Sequence, residues 1–147
     1  MTKYLGYVEL GVVFVLVSVI ILSIFAQVLS RYVFKISISW LEELARFTFI
    51  WAALYGGSIA YRKGVLHKFE IAYGAISPRI PQVLGIVTRI AILFFLGVLI
   101  IYGFKLSFFV YNQFSPALTI RMTYVYLAVP VAAVMMFIST VLDISRV

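Results

Sequence analysis

Four long apolar runs, separated by short charged or turn-forming stretches, dominate the pattern of the chain. They cover about residues 8–29, 44–61, 83–104 and 124–142. A helix rises about 1.5 Å per residue and a hydrocarbon core is about 30 Å thick, so runs of this length can cross a bilayer. The pattern predicts an all-α integral membrane protein, with four transmembrane helices in a single membrane domain over residues 1–147.

Two stretches between the runs predict short interfacial helical segments, at about residues 31–41 and 68–80. The first begins Arg-Tyr-Val-Phe-Lys, and rings and long cationic side chains both favour the headgroup level of a membrane. The second carries glycine and proline, which limit any helix there to a short one.

The lead-in to the second run has a helix-start signal, Ser39 followed three residues later by Glu42. This spacing is that of a capping box, so we expect the helix to begin near Trp40. In the fourth run, Pro130 lacks an N–H group and predicts a kink. In the first run Ser23, Gln27 and Ser30 share one face, which fits either local bonding to carbonyls or pairing with another helix.

The second run has two different faces at 100° per residue. One is small with a charged top, and the other carries Phe47, Trp51, Leu54 and Tyr55 and suits lipid. The small face is either an interfacial cap and anchor or a docking face for another protein or for other helices of this chain. Within an arc of roughly 140°, it holds Glu42, Arg46, Ala52, Gly56, Gly57 and Ala60, among others.

The composition fits a membrane protein and argues against an enzyme. The chain is 65% hydrophobic and 12% charged, with no cysteine and a single histidine among 147 residues. Glu42 and Glu43 point about 100° apart, so they do not converge on one substrate. No residue set for nucleophilic catalysis or phosphate binding exists. We expect no cofactor and no metal in this chain, and we interpret its positive charge as topology rather than nucleic-acid binding.

Charge placement predicts that both termini are cytoplasmic. One side of a four-span chain would carry six cations in Lys3, the loop after the second span and Arg146, against Arg31, Lys35, Lys105 and Arg121 on the other. Arg89 lies inside the third run, where it either reaches the near interface or pairs within a complex. Arg89 and Lys105 are candidate contacts for lipid headgroups.

Several motifs together resemble the small membrane subunit, or Q subunit, of tripartite ATP-independent periplasmic (TRAP) transporters. The resemblance covers nearly the whole chain, with departures at Lys35, His67 and Lys68. The motifs are Arg31-Tyr32-Val33-Phe34, Ser39-Trp40-Leu41-Glu42-Glu43-Leu44-Ala45-Arg46, Trp51, Gly56-Gly57, Arg62-Lys63-Gly64 with His67, Ser115-Pro116-Ala117-Leu118-Thr119-Ile120 and Tyr126-Leu127-Ala128-Val129-Pro130.

The resemblance implies an accessory scaffold in the bacterial inner membrane for Na⁺-coupled uptake (symport) of an organic acid, such as a C4-dicarboxylate or sialic acid. The partners it implies are a large M permease subunit, which holds the substrate and the Na⁺, and a periplasmic binding protein that docks transiently. The candidate interface residues are Arg31, Ser39, Trp40, Glu42, Glu43, Arg46, Ala52, Gly56, Gly57, Ala60 and Arg62.

Two other classes of protein compete with this interpretation. A self-sufficient, homo-oligomeric, proton-coupled exporter would need a membrane-embedded carboxylate, and the glutamates near the membrane lie at span ends. An assembly subunit of a respiratory complex is weaker still, because no helix carries a histidine pair for haem.

Overall fold

The computed structural model describes residues 2–63 and 80–144, with side chains over 7–63 and 87–142. It is helical throughout these ranges apart from turns and one isolated bridge between Phe114 and Arg121. The helices are α1 (Thr2–Tyr32), α2 (Ser39–Arg62), α3 (Ile80–Phe109), α4 (Thr123–Tyr126) and α5 (Ala128–Ile144). Three stretches are long and apolar enough to span a membrane: Tyr7–Tyr32, Val87–Phe109 and Thr123–Leu142. The all-helical membrane class is therefore confirmed.

The helices contact one another in a row, in the order α1, α2, α5, α3. Within the described residues, α1 packs against α2, α2 against α5 and α5 against α3, with α4 extending α5 at its start. No contact links α1 to α3 or α5, or α2 to α3, in this part of the chain. The four described long helices thus form three neighbouring pairs, whereas a closed four-helix bundle would need a fourth pair, between α1 and α3. The row therefore leaves wide apolar faces open, which is favourable only in lipid or against a partner.

The predicted capping box is wrong, although the helix does begin where expected. Ile38 occupies the N-cap position of α2 and makes no side-chain capping bond, and Ser39 already belongs to the helix. The Glu42 carboxylate accepts hydrogen bonds from Arg46 and Gln27 instead. Arg46, one turn further along α2, and Gln27 of α1 bind this carboxylate in place of the backbone donors at the helix start.

The predicted interfacial helix at 31–41 is also not formed. Residues up to Tyr32 belong to α1, residues from Ser39 belong to α2, and a turn and an extended stretch join them. Lys35 has a φ of 55° in this turn. This left-handed conformation is most often adopted by glycine. At Lys35 it ends the helical path of α1 and lets α2 return alongside α1.

Lys35→Gly is expected to stabilise the chain, because a side chain in the left-handed region costs roughly 1–2 kcal/mol. Unfolding in mild detergent titrated with sodium dodecyl sulfate would measure the change. Lys35→Ala is the matched control, since it removes the long side chain but keeps the Cβ. Equal stabilities of the Gly and Ala variants would contradict the role of backbone strain.

Where the sequence predicts a kink in the fourth run, the structure has an interruption between α4 and α5 at Leu127, three residues before Pro130. Pro130 has no N–H to donate to the Tyr126 carbonyl, and α4 and α5 are separated there. Helical bonds resume on either side, from Leu127 to Thr123 at 2.9 Å and from Val131 to Leu127 at 3.2 Å. The fully buried Pro130 ring packs against Gly103, where an added Cβ would lie only 3.0 Å from the proline Cδ.

Some predictions fall on residues outside the described ranges. These are the interfacial segment at 68–80, apart from its last residue, and the positions of Gly64, His67 and Lys68.

Candidate functional site

Two motifs that are distant in sequence meet at one end of the helix row. The buried Glu43 carboxylate of α2 accepts a hydrogen bond from the Ser115 hydroxyl. It also accepts bonds from the backbone amides of Ala117, at 3.2 Å, and Leu118, at 2.9 Å. Ser115 is itself only 1% exposed. One carboxylate therefore fastens the turn at 115–118, between α3 and α4, to the first turn of α2.

The surroundings of Glu43 keep it ionised. Glu43 lies just before Leu44, where the predicted second span begins. The hydrogen bond from Ser115 lowers its pKa from the ordinary value of 4.5; desolvation opposes this shift, and the Leu118 and Ala117 amides and the Arg46 charge reinforce it. Donors that point at a carboxylate favour its charged form. At neutral pH the residue is therefore an anionic acceptor that binds a loop.

The neighbouring Glu42 faces a different part of the molecule. Its carboxylate forms an exposed ion pair with Arg46 at 2.7 Å and accepts a weaker bond from Gln27 of α1 at 3.4 Å. Gln27 thus pairs with another helix, whereas Ser30 bonds locally to the Gln27 carbonyl at 3.0 Å. The two glutamates point apart as predicted, and they hold different neighbours of α2 rather than one substrate.

The opposite end of the row has its own polar contacts. Arg62 of α2 forms an ion pair with the buried Glu9 of α1. Tyr61 shares a hydrogen bond of 2.8 Å with Thr140 of α5. Helix α1 therefore runs antiparallel to α2 and α5 runs parallel to it, and polar contacts tie α2 to its neighbours at both of its ends. Arg62, a candidate partner contact, is engaged within the chain.

A narrow face of α2 remains uncovered by the other described residues. Arg46, Phe49 and Ala53 are exposed along it, with Phe49 at 61%. A Cβ added at Gly56 would meet nothing within 4 Å, whereas one at Gly57 would lie 3.8 Å from the Met136 methyl group of α5. The predicted small face is therefore divided, and Gly57 packs inside the chain. We call the uncovered part, Arg46, Phe49, Ala53 and Gly56, the open face.

The bulky side of α2 is not a lipid surface, contrary to the sequence-based interpretation. The Trp51 indole donates to the Tyr124 carbonyl of α4 at 3.2 Å, and Ser58 approaches the Met135 sulfur of α5 at 3.9 Å. Aromatic rings fill a helix interface as readily as a lipid boundary. The hydrophobic pattern could not separate these two environments.

The remaining candidate residues occupy the surface of the row. Arg31, Ser39 and Trp40 are exposed around the α1–α2 turn, with Trp40 at 47%, and Ala52 and Ala60 are half-buried. Arg89 is half-buried and Lys105 is exposed on α3. Neither belongs to the two ion pairs found within the described residues, Glu42–Arg46 and Glu9–Arg62.

Both parts of the Glu43 contact are recognisable as motifs in the sequence, but the hydrophobic pattern does not connect them. One signal was available: Glu43 is about 100° away from the small face. It therefore lies on the same side as the aromatic residues that pack against α4 and α5. A carboxylate on a packed face needs donors, and the turn at 115–118 offers a hydroxyl and free amides.

The helix row and its loop contact define an all-helical membrane protein whose long helices are tied to one another by polar contacts. Among the described residues, no group of three or more His, Cys, Asp or Glu side chains could hold a metal. The chain belongs to the DctQ component family of the tripartite ATP-independent periplasmic transporters, whose family model matches residues 20–147. It is thus the small membrane subunit of a TRAP transporter, and the resemblance seen in the sequence is confirmed. Comparison with curated proteins gives no match.

Proposed function

We propose that the chain is an immobile scaffold that binds the large M permease subunit through the open face of α2. The open face carries the proposal. Arg46, Phe49 and Ala53 are exposed there, and the space in front of Gly56 is empty. In lipid, small residues let a partner helix approach closely and gain van der Waals contact. A charged group above such a surface fixes the orientation of that helix.

The position of α2 in the row supports its role as the fourth transmembrane helix. It lies between α1 and α5, both of which contain stretches apolar and long enough to span a membrane. Its 24 residues would reach about 36 Å, sufficient for a hydrocarbon core. Its four charged residues lie near its two ends: Glu42, Glu43, Arg46 and Arg62. Four crossings bring both termini to one side, and the cation distribution favours the cytoplasm.

The end of the row that carries the Glu43 contact is then periplasmic. There Gln27 in the last turns of α1 and the turn at 115–118 both contact the first turn of α2, and this end of the row would receive the periplasmic binding protein. The setting is the inner membrane of a bacterium. Arg89 and Lys105 on α3 are suited to contact lipid headgroups.

Transport chemistry belongs to the partner in this proposal. The organic acid, of the C4-dicarboxylate or sialic acid type, and the Na⁺ of symport bind to the large subunit. The three described glutamates support this assignment, because Glu9 and Glu42 form ion pairs and Glu43 accepts from the loop. A proton-coupled exporter needs a carboxylate that is free to change partners within the membrane.

Gly56→Leu tests the open face. A Cβ at this position meets no atom of the described chain within 4 Å, so the leucine side chain starts into the empty space in front of α2. We expect the variant to fold normally but to lose most of its co-purification with the large subunit, together with uptake in cells. Loss of close backbone approach is the reason, because a leucine side chain forces the partner helix away.

Gly11→Leu is the matched control, since Gly11 also has nothing within 4 Å but lies on α1. Normal co-purification and uptake with Gly56→Leu would refute the docking proposal. Substrate transport by the purified chain alone in liposomes would support the exporter instead.

A further inference from the structure

Arg121 forms a cluster with two aromatic side chains in the segment between α3 and α4. Its guanidinium carbon lies 4.1 Å from the centroid of the Tyr111 ring and 5.9 Å from that of Phe114. Distances below about 6 Å allow cation–π attraction. Both rings are substantially exposed, at 47% and 57%. We call these three residues the aromatic–arginine cluster.

The backbone holds this cluster in a fixed shape. Phe114 and Arg121 form an isolated antiparallel bridge. The Met122 amide donates to the Gln113 carbonyl at 2.9 Å, and the Ser115 amide donates to the Ile120 carbonyl at 2.9 Å. Glu43 fastens the tip of the same turn to α2. Arg121 therefore has less side-chain freedom to lose when it binds a ligand.

The cation of Arg121 has no anionic partner among the described residues. The two ion pairs there are Glu42–Arg46 and Glu9–Arg62, and the third described carboxylate, Glu43, is bound by the turn at 115–118. No hydrogen bond from the Arg121 side chain is formed within the same ranges. A guanidinium has five N–H donors arranged as a fork that matches phosphate geometry. The cluster thus offers unused donors.

The depth of the cluster in a membrane identifies the anion. The spanning stretch on α3 ends at Phe109, and the next one begins at Thr123. Tyr111 and Arg121 lie two residues beyond these ends, where lipid phosphates are found. Phe108 and Phe109 are 69% and 80% exposed just below, in the position of acyl chains. This arrangement of rings and a cation is typical of the membrane interface.

We infer that the aromatic–arginine cluster is a binding site for the phosphate of a membrane phospholipid, with Arg121 as the phosphate-binding residue. Tyr111 and Phe114 hold the guanidinium, and the exposed rings of α3 contact the acyl chains. A phospholipid and a soluble phosphate share one group that this site can bind, a phosphate anion. A lipid satisfies both the charged and the apolar parts of the site, whereas a soluble phosphate satisfies only the first.

The purified full-length chain in neutral detergent, titrated with dioctanoyl phosphatidylglycerol, provides the test. Thermal unfolding reports binding, because a ligand that binds only the folded state raises the Tm by an amount that increases with the ratio of its concentration to its Kd. Arg121→Gln is expected to weaken the apparent affinity by about fivefold or more, as for loss of one cation near phosphate. Arg121→Lys, which keeps the charge but loses the planar fork, is expected to recover only part of it.

Arg31→Gln is the matched control, because Arg31 is an exposed cation at the same end of the row and forms no cation–π contact within the described residues. Equal weakening by Arg31→Gln and Arg121→Gln would show general surface attraction and overturn the site. A lower Tm without lipid, combined with an unchanged lipid-dependent rise, would make Arg121 purely structural and also overturn it.

Two further ligands distinguish the source of the phosphate. Dioctanoylglycerol, which lacks phosphate, is expected to give no Arg121-dependent rise in Tm. Glycerol phosphate, which lacks acyl chains, is expected to give none at the same concentration. An equal rise with either compound would overturn the assignment to a phospholipid.

Discussion

Replacing Glu43 by alanine is expected to release the turn at 115–118 from α2. Three donors lose their acceptor at once: the Ser115 hydroxyl and the amides of Ala117 and Leu118. Hydrogen exchange at the two amides should become roughly 10- to 100-fold faster, the factor expected for hydrogen bonds to a charged group. Mass spectrometry of peptides covering the turn measures this directly.

Glu42→Ala is the control for this experiment. The two glutamates are adjacent, but the Glu42 carboxylate binds Arg46 and Gln27 and does not contact the turn at 115–118. Exchange at Ala117 and Leu118 should remain slow in that variant. Equal acceleration in both variants would mean that general loss of charge, rather than the described hydrogen bonds, explains the effect.

Acidification is expected to reproduce the effect of the Glu43 substitution in the wild-type chain. The pKa of Glu43 is lowered in the folded state, chiefly by the hydrogen bond from Ser115. The stabilisation is therefore complete above the ordinary value of 4.5 and is lost as pH falls through the lower, folded-state pKa. The difference in stability between wild type and Glu43→Gln should shrink over this acidic range. A constant difference would contradict ionisation as its cause.

Gly103→Ala is expected to destabilise the chain by about 1–3 kcal/mol, the usual cost of overpacking. The new Cβ would lie at 3.0, 3.2 and 3.4 Å from three atoms of the Pro130 ring. A proline ring cannot rotate away, so α3 and α5 must separate. Denaturation by sodium dodecyl sulfate in mixed micelles measures the loss, and uptake should fall with it if the row supports the transporter.

The matched control is Gly97→Ala, on the same helix. A Cβ at Gly97 would meet nothing within 4 Å, so this substitution should be neutral or stabilise α3 by up to about 1 kcal/mol through helix propensity. Both substitutions add the same methyl group to α3, so only the contact with Pro130 is expected to give them different effects on the free energy of unfolding. A similar cost at both positions would exclude the Pro130 contact as the cause.

The sequence was sufficient to predict the long helices, but not the segment between α1 and α2 or the arrangement of the helices. Apolar runs predicted where the long helices form, and Pro130 predicted a kink in the fourth run, where the helix is interrupted at Leu127. The neighbours of each helix depend on shape, such as the fit of Pro130 against Gly103, which composition does not reveal. The predicted capping box formed by Ser39 and Glu42 was wrong for a related reason. Glu42 could cap its own helix or bind Arg46 and Gln27, and only the packed structure decides between local and tertiary partners.

The candidate site was predicted in the same incomplete way. The small face of α2 was recognised, but not its division between the open face and the contact with α5. Gly56 and Gly57 are adjacent and point in directions about 100° apart, so that one faces open space and the other faces α5. Trp51 looked suited to lipid because an indole has the same apolar surface in both environments. Its N–H donor, which binds the Tyr124 carbonyl, was the distinguishing group.

The order of helices in the row also constrains how the protein is made. Among the described helices, α5 leaves the ribosome after the others, and it is the one that contacts both α2 and α3. Until it enters the membrane, α3 has no neighbour among the other long helices of the described chain, whereas α1 and α2 can already pair as a hairpin. The α1–α2 hairpin can therefore pack as soon as both of its helices are inserted, whereas α3 gains its long neighbour, and the described row is completed, only when α5 arrives.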